Sequence, residues 1–190
     1  ARAHALIVTK TPSVFSPLDR KYFIERIRPY RQGVICFSTL RYGDPVPLNQ
    51  GFESVSLDKI KTIFLLTGIA RTDALEEHIK KHCNEVFLHA FPDHYDFTPA
   101  DLETVKNAFD RSISRSKIIL TTEKDAMRLK QDALKEIAGS MPIYYLPMEV
   151  VFHPEDHKVF HQLTEQYLLS CRIPDSGTDN NADQIPEETT

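Results

Sequence analysis

Apolar runs rich in β-branched residues recur along this chain and alternate with amphipathic stretches. They lie at 5–9, 33–40, 62–69, 85–91, 117–122 and 142–147. Each run is continuous rather than interleaved with polar residues, which is typical of strands covered on both faces in a parallel sheet. The pattern therefore predicts six mainly parallel strands.

The amphipathic stretches carry helical spacing and recognisable start signals. They lie at 16–28, 72–83, 98–113, 123–138 and 154–171. Ser16 and Thr98 are each followed by proline and, two residues later, by Asp19 and Asp101, the pattern of a capped helix start. Gly139 fits the end of the helix that precedes it.

Strand and helix alternate, which predicts right-handed crossovers and a three-layer α/β/α sandwich with a mainly parallel sheet. Residues 41–61 interrupt the alternation, because prolines and glycines surround one short strand-like piece, "FESVS" at 52–56. We expect an insertion or a hairpin at the sheet edge there. The whole of 1–171 is predicted to be one domain.

The last segment differs in composition from the rest of the chain. Residues 172–190 carry one basic and five acidic side chains, and so account for the entire net charge of −4. They are polar and almost lack large apolar groups, which predicts a disordered acidic tail. The remaining body is formally neutral and has no basic stripe, so we expect no nucleic-acid partner.

The sequence also bears on membrane insertion, on the cellular compartment and on whether the chain is part of a longer protein. No apolar run approaches the roughly 20 residues that span a bilayer. The three cysteines are far apart and outside any CxxC spacing, so we expect no disulfide framework and a reducing cytoplasm. Because the chain opens almost directly in a strand and without an initiator methionine, we expect it to be one domain of a larger protein.

Nucleotide-binding fingerprints are absent from the sequence. It contains neither GxxxxGK[ST] nor GxGxxG. Gly68, in "LLTGIAR", is a lone glycine after a predicted strand. It would allow a ligand to approach the backbone, or it is simply a turn glycine.

The stretch "FPDHYDFT" follows the fourth predicted strand, where open parallel sheets place their ligands. A carboxylate at Asp93 next to the imidazole of His94 could orient the ring and raise its basicity, which suits acid/base chemistry. The alternative is an ordinary turn begun by Pro92, with Phe91 and Phe97 packed beneath it. Both interpretations stay open at this point.

Two further polar pieces follow predicted strands. "LTTEKDAMRL" places Thr122 and Lys124 where a strand passes into a helix, a position that suits phosphate contacts or, alternatively, a threonine cap. "VTK" ends the first strand with Thr9 and Lys10. Because parallel strands end at one edge of a sheet, these pieces and the Asp-His stretch are predicted to line one cleft.

Three histidines stand four residues apart, the first at the start of the last predicted helix and the other two within it. His153, His157 and His161 could present imidazoles to a metal ion, as a metal-dependent hydrolase would require. Charged neighbours surround them, so a solvated helix face is the favoured interpretation.

Six motifs in order resemble a known family over residues 3–170. They are "ALIVTK", "FSTLRYG", "FLLTGIAR", "HAFPDHYDFT", "ILTTEKDAMRL" and "YYLPMEV". The series resembles the C-terminal part of the tetraacyldisaccharide 4'-kinase family, the lipid A kinases of Gram-negative bacteria, and is most similar to its Bacteroidetes members.

The resemblance implies an ATP- and Mg²⁺-dependent kinase that phosphorylates the 4'-hydroxyl of tetraacyldisaccharide 1-phosphate at the cytoplasmic face of the inner membrane. It further implies that the phosphate-binding loop, most metal and phosphate contacts, the catalytic aspartate and the membrane contact belong to an N-terminal P-loop domain that precedes Ala1. That domain and the lipid A precursor would be the partners of this chain. The chain alone is expected to be inactive.

The resemblance also implies roles for particular residues. His94 would be catalytic, pairing with the aspartate of the other domain. Asp93, Thr122 and Lys124 would lie on the nucleotide side of the cleft, and no metal ligand is expected in this chain. A free-standing α/β binding module without activity, or alternatively a metal-dependent hydrolase, remains as a competing hypothesis.

Overall fold

The computed structural model describes residues 3–30 and 32–171. Its strands are β1 Ala5–Val8, β2 Val34–Tyr42, β3 Val46–Pro47, β4 Thr62–Thr67, β5 Glu85–Ala90, β6 Lys117–Thr122, β7 Ile143–Leu146 and β8 Met148–Phe152. Its helices are α1 Pro17–Ile27, α2 Asp73–Lys80, α3 Pro99–Arg111, α4 Glu123–Leu129, α5 Asp132–Gly139 and α6 Pro154–Ser170, with a 3-10 turn at Leu57–Lys59. The predicted acidic tail lies outside the described residues.

Backbone contacts divide the chain into two compact units. Unit 1 takes its described residues from 1–9, 16–38 and 152–190, and unit 2 consists of 10–15 and 39–151. The described part of residues 1–171, which the sequence predicts to be one domain, is therefore divided between two compact units. The strands β2 and β8 each contribute residues to both units.

The hydrophobic pattern of the sequence does not reveal this division into two units. An apolar run shows that a strand is buried, but it does not show which strand it pairs with. The strands β1, β2 and β8 form a separate three-stranded sheet in that order. Within it, β1 pairs in parallel with β2, with Ala5 opposite Val34.

Unit 2 is built on a five-stranded sheet of order β3-β7-β6-β4-β5. The strands β7, β6, β4 and β5 are parallel, and β3 pairs antiparallel with β7 at the edge. All six residues of the central strand β4 are buried. The predicted class, an α/β fold with a mainly parallel sheet flanked by helices, is confirmed.

Alternate residues of β4 serve the two faces of this sheet. Phe64 and Leu66 join one buried cluster, in which residues of α3, α4 and α5 take part. Ile63 and Leu65 join another, to which α2 contributes Leu75 and Ile79. Each such fully buried aliphatic side chain stabilises the fold by about 1.5–3 kcal/mol, so helices are held firmly on both faces.

In unit 1, helices α1 and α6 are joined by a charged pair. Arg20 of α1 donates to both carboxylate oxygens of Asp156, and its Nη1 lies 2.7 Å from Oδ2. Asp156 is 1% exposed, and a carboxylate removed from water to that degree requires a partner. The guanidinium also lies over the ring of Phe37, with 4.8 Å to the ring centroid.

Two local predictions were wrong. The helix predicted over 123–138 is two helices, because Gln131 adopts an extended backbone, with ψ 148°, between them. The second of these helices, α5, ends at Gly139, so the predicted place of this glycine at a helix end is confirmed. The piece "FESVS" is not a strand, and the edge strand of residues 41–61 is Val46–Pro47 instead.

The strand β8 was not predicted at all. It starts directly after β7, with Pro147 alone between the two strands. A polar or glycine-rich separator, the usual sign that one strand has ended and another begins, is missing there.

The start of α3 gives a prediction about stability. Thr98 Oγ1 accepts the amide proton of Asp101, whose carboxylate in turn accepts from the amide of Thr98. Thr98→Ala removes this cap and should lower the free energy of unfolding by about 1 kcal/mol, measured by urea denaturation. Thr104→Ala, the same change on the exposed face of α3, should stay within about 0.5 kcal/mol. Equal effects of the two substitutions would contradict the capping role.

Candidate functional site

The candidate site lies where three neighbouring strands of unit 2 end. Since β5, β4 and β6 are parallel and adjacent, their carboxyl ends meet at one edge of the sheet. Residues 91–98 follow β5, Gly68 follows β4, and α4 follows β6 directly. Two of the three polar pieces predicted to share an edge therefore do so.

The third piece does not share that edge. "VTK" ends β1, and β1 belongs to the three-stranded sheet of the other unit. The prediction that Thr9 and Lys10 lie at the same sheet edge as the other two pieces was wrong. Apolar periodicity does not assign a strand to a sheet.

The loop after β5 is a turn packed on aromatic rings. The amide of Tyr95 donates to the carbonyl of Pro92 at 3.2 Å. Phe91 and Phe97 meet edge to face with their ring centroids 5.3 Å apart, and Phe97 is buried. The predicted turn is confirmed, and the rings hold its polar tip in a defined place above the core.

His94 occupies the tip in a left-handed backbone conformation, with φ 60°. Such a backbone is strained in most residues other than glycine, although histidine adopts it more often than most side chains. Its ring is 73% exposed, and its amide donates to Asp93 Oδ1 at 3.0 Å. The turn therefore displays the imidazole rather than burying it.

Both ring nitrogens of His94 face charged groups. Nδ1 lies 3.3 Å from Nη2 of Arg128. Nε2 lies 3.5 Å from Nζ of Lys124 and 3.6 Å from Oδ2 of Asp93. Lys124 also donates to Asp93 Oδ1 at 3.3 Å. The structure thus brings together three of the four residues predicted for the site, and it adds Arg128.

The charged groups around Asp93 change the pKa of its carboxyl group. Loss of hydration by itself raises the pKa of this carboxyl, but the hydrogen bond from Lys124 and the charges of His94 and Lys124 outweigh that effect. The pKa of Asp93 is held below its ordinary value, so the group is a carboxylate throughout the neutral range.

Behind this exposed group lies a buried carboxylate, Asp125, with no exposed surface. Its Oδ2 accepts from the amide of Gly68 at 3.0 Å and from the hydroxyl of Thr122 at 2.7 Å, with Thr67 Oγ1 at 3.4 Å. Its Oδ1 accepts from Nη1 of Arg128 at 3.0 Å. Asp125 therefore joins the ends of β4 and β6 to α4.

Gly68 is explained by this packing. A Cβ atom placed on it would lie 3.4 Å from Asp125 Oδ1, from Phe97 Cζ and from the carbonyl oxygen of Pro92. The glycine thus permits protein groups to approach closely, and that contact favours the structural interpretation over a ligand contact.

Thr122 caps α4, since its hydroxyl accepts the amide proton of Asp125 at 3.1 Å and donates to the carboxylate of the same residue. The alternative that the sequence offered, a threonine cap, is confirmed. A nucleotide contact by Thr122 or Lys124 stays a prediction.

The histidines of α6 are arranged differently from a set of metal ligands. His153 precedes the helix, the rings of His157 and His161 stack with centroids 6.3 Å apart, and His161 Nδ1 faces Glu165 at 3.4 Å. Across residues 3–30 and 32–171, no group of three or more His, Cys, Asp or Glu side chains is placed to share a metal ion. Among the described helices, none combines the length and the apolarity required of a membrane span.

The Lys124–Asp93 contact gives a prediction about protonation. Lys124→Gln should raise the pKa of Asp93, because the substitution removes the positive charge, and with it the charged donor, that favours the carboxylate. The NMR titration of the Asp93 carboxyl carbon measures this shift. A lowered pKa means that the contact stabilises the fold above the unfolded-state pKa and is lost as the pH falls through the folded-state pKa. Lys130→Gln, at the exposed end of α4, should leave the titration unchanged, and a similar shift in both variants would contradict the pairing.

Comparison with known proteins identifies the family. The family model described as tetraacyldisaccharide-1-P 4'-kinase matches residues 2–168. The tetraacyldisaccharide 4'-kinase of Phocaeicola vulgatus is 34% identical over 171 residues, which cover 88% of this chain and 47% of that protein. The Bacteroides fragilis protein of the same name is 35% identical, with 85% of this chain and 44% of that protein covered.

One solved structure, that of LpxK from Aquifex aeolicus in complex with ATP, is 18% identical with a TM-score of 0.38, covering 85% of this chain and 51% of the other. That likeness is too weak to bear on the fold. The chain spans about half the length of the curated relatives it matches. The family match extends over nearly all of the described residues, and the chain belongs to the tetraacyldisaccharide-1-P 4'-kinase family.

Proposed function

We propose that this chain is the C-terminal part of an ATP-dependent kinase that phosphorylates the 4'-hydroxyl of tetraacyldisaccharide 1-phosphate in lipid A synthesis. Membership of the family and the names of the relatives support this activity. The length of those relatives supports a further part of similar size. The proposal assigns the phosphate-binding loop to that part, which we call the preceding half.

The observation that carries the proposal is the exposed imidazole of His94, held at a sheet edge between Asp93 and two cations. Phosphoryl transfer depends mainly on positioning and electrostatics, and a cleft between two domains can take one residue from each side. In the proposal, His94 pairs with an aspartate of the preceding half. The pair helps that carboxylate accept the proton of the sugar hydroxyl.

Asp93 and Lys124 are assigned to the nucleotide side of the same cleft. The side chain of Lys124 is partly exposed, so its ammonium group can contact a phosphate oxygen. The carboxylate of Asp93 holds that ammonium group in place. Magnesium, when bound, would neutralise charge on the transferred phosphoryl group. The proposal places its ligands in the preceding half, as the family resemblance implies.

The surface of unit 1 supports a packing partner. All eleven residues of α1 are described and none is buried, and α6 buries Asp156 alone. Large apolar side chains of this unit are exposed: Leu18, Tyr22, Tyr167, Leu168 and Leu169. Exposed apolar side chains are groups that a packing partner can cover. In the proposal, the preceding half covers them.

The proposal includes a location at the cytoplasmic face of the inner membrane, because the acyl chains of the substrate lie in a lipid phase. Membrane contact would be made by the preceding half.

The catalytic role of His94 is tested in the full-length kinase. His94→Ala should lower kcat on the order of 10²-fold or more, because it removes a group that takes part in proton transfer. His94→Asn should lower kcat similarly, since asparagine tolerates the left-handed backbone but supplies no imidazole. Steady-state phosphorylation of the disaccharide measures both.

His82→Ala is the matched control. His82 precedes β5 and contacts Asp58, so it lies at the opposite end of that strand from the site. Its kcat should stay within about twofold of the parent value. Turnover of His94→Ala at the parent rate, with the protein folded, would refute the assignment.

The assignment of the phosphate-binding loop to the preceding half gives a separate prediction. The 190-residue chain alone should not phosphorylate the disaccharide, and adding the separately expressed preceding half should restore turnover. Transfer of radiolabelled phosphate from ATP to the lipid measures this. Turnover by the chain alone would contradict the assignment of the phosphate-binding machinery.

A further inference from the structure

We propose that Arg128 is a positioning residue that fixes the orientation and the tautomer of His94, with the buried carboxylate of Asp125 as its anchor. The mechanistic importance of this device rests on the proposed function, in which His94 takes part in catalysis. The contacts of Arg128 with Asp125 and His94 belong to this chain and do not depend on that proposal.

The guanidinium of Arg128 is divided between two partners. Its Nη1 lies 3.0 Å from Oδ1 of Asp125, and its Nη2 lies 3.3 Å from Nδ1 of His94. The side chain is only 16% exposed. Because a guanidinium is planar and its donors diverge at fixed angles, holding one nitrogen on a buried oxygen also fixes the direction of the other.

This geometry determines which ring nitrogen of neutral His94 carries the proton. A guanidinium nitrogen can only donate, so Nδ1 must be the acceptor, and the proton is on Nε2. Nε2 then faces Oδ2 of Asp93, an acceptor, at 3.6 Å. The nearby ammonium of Lys124 has its own acceptor in Asp93 Oδ1 at 3.3 Å. The ammonium also lies 3.5 Å from Nε2, so the assignment of the proton rests on the shorter contact of Arg128 with Nδ1.

The same arrangement leaves the Nε2 proton available. A separation of 3.6 Å from Asp93 Oδ2 is too long for a strong hydrogen bond. With Nδ1 occupied by Arg128, Nε2 is the nitrogen that can donate to an incoming carboxylate. That is the role which the proposed function requires of the imidazole.

Asp125 connects the imidazole of His94, through Arg128, to the strands of the sheet. Asp125 accepts from the amide of Gly68 after β4 and from the hydroxyl of Thr122 at the end of β6. Through Arg128, an imidazole on an exposed loop is held against two strand ends. Displacing a catalytic group by about 1 Å can cost roughly 10²-fold in rate.

The competing interpretation is that Arg128 only neutralises Asp125. In that case lysine should serve as well as arginine, because charge alone matters. Arg128→Lys therefore separates the two hypotheses. A single ammonium nitrogen keeps the charge next to Asp125, but it cannot hold the two diverging contacts.

The first measurement uses the 190-residue chain labelled with ¹⁵N. Long-range ¹H–¹⁵N spectra of the imidazoles, recorded at alkaline pH where histidines are neutral, report which nitrogen bears the proton. The wild-type ring of His94 should show one tautomer, protonated on Nε2 and accepting at Nδ1. In Arg128→Lys, the Nδ1-protonated form should become populated. Identical His94 spectra in the two folded proteins would overturn the proposal.

The second measurement uses the full-length kinase. Arg128→Lys should lower kcat roughly tenfold or more while the KM for each substrate stays within about twofold. In a His94→Ala background, the same change should have no further effect, because the residue that it positions is gone. Arg111→Lys, at the exposed end of α3, is the matched control and should leave kcat unchanged. Independent, multiplicative losses from the Arg128 and His94 substitutions would overturn the proposal.

The two measurements separate the possible failures. If His94→Ala turns over normally, the proposed catalytic role fails, while the ¹⁵N spectra still decide whether Arg128 sets the tautomer. Circular dichroism establishes that each variant is folded. Should Arg128→Lys fail to fold, Arg128→Gln supplies a second variant, with the same expected change in tautomer.

Discussion

The carboxylate of Asp125 is the constraint on which the candidate site depends. A carboxylate with no exposed surface is tolerated only when hydrogen bonds and an opposite charge replace its lost hydration. Here the replacements come from Gly68, Thr122 and Arg128, which belong to the connection after β4, the end of β6 and the last turn of α4. Satisfying one buried charge therefore brings together three separate parts of the chain, and the exposed catalytic candidate is built on that junction.

The site combines a rigid base with a strained tip. The aromatic rings under residues 91–98 and the capped start of α3 hold the loop from both ends. His94 itself has a left-handed backbone, a conformation that persists only where surrounding contacts determine it. An imidazole presented in this way is accessible on a backbone that is held in place, which suits the role proposed for it.

The sequence predicted the features that depend on local chemistry. The starts of α1 and α3 were found from Ser16 and Thr98, whose caps act within a few residues, and the central strand β4 was found from its unbroken apolar run. The features that depend on distant pairing were missed, namely the separate sheet, the strand β8 and the position of "VTK". Within the site, His94, Asp93 and Lys124 were found from their place after strands. Arg128 was missed because arginine three residues after aspartate is an ordinary helix-surface pattern, and only the structure shows that Asp125 is buried.

The strands shared between the units have a consequence for the path of the chain. Residues 39–151 form one uninterrupted stretch, and near its two ends Arg41 and Glu149 form an ion pair. A segment whose entry and exit points lie side by side has the topology of an insertion, because the chain can pass from one side of it to the other over a short distance. Unit 1, which is assembled from three separate pieces of chain, does not have this topology. The imidazole is therefore carried by a segment that enters and leaves the fold at one place.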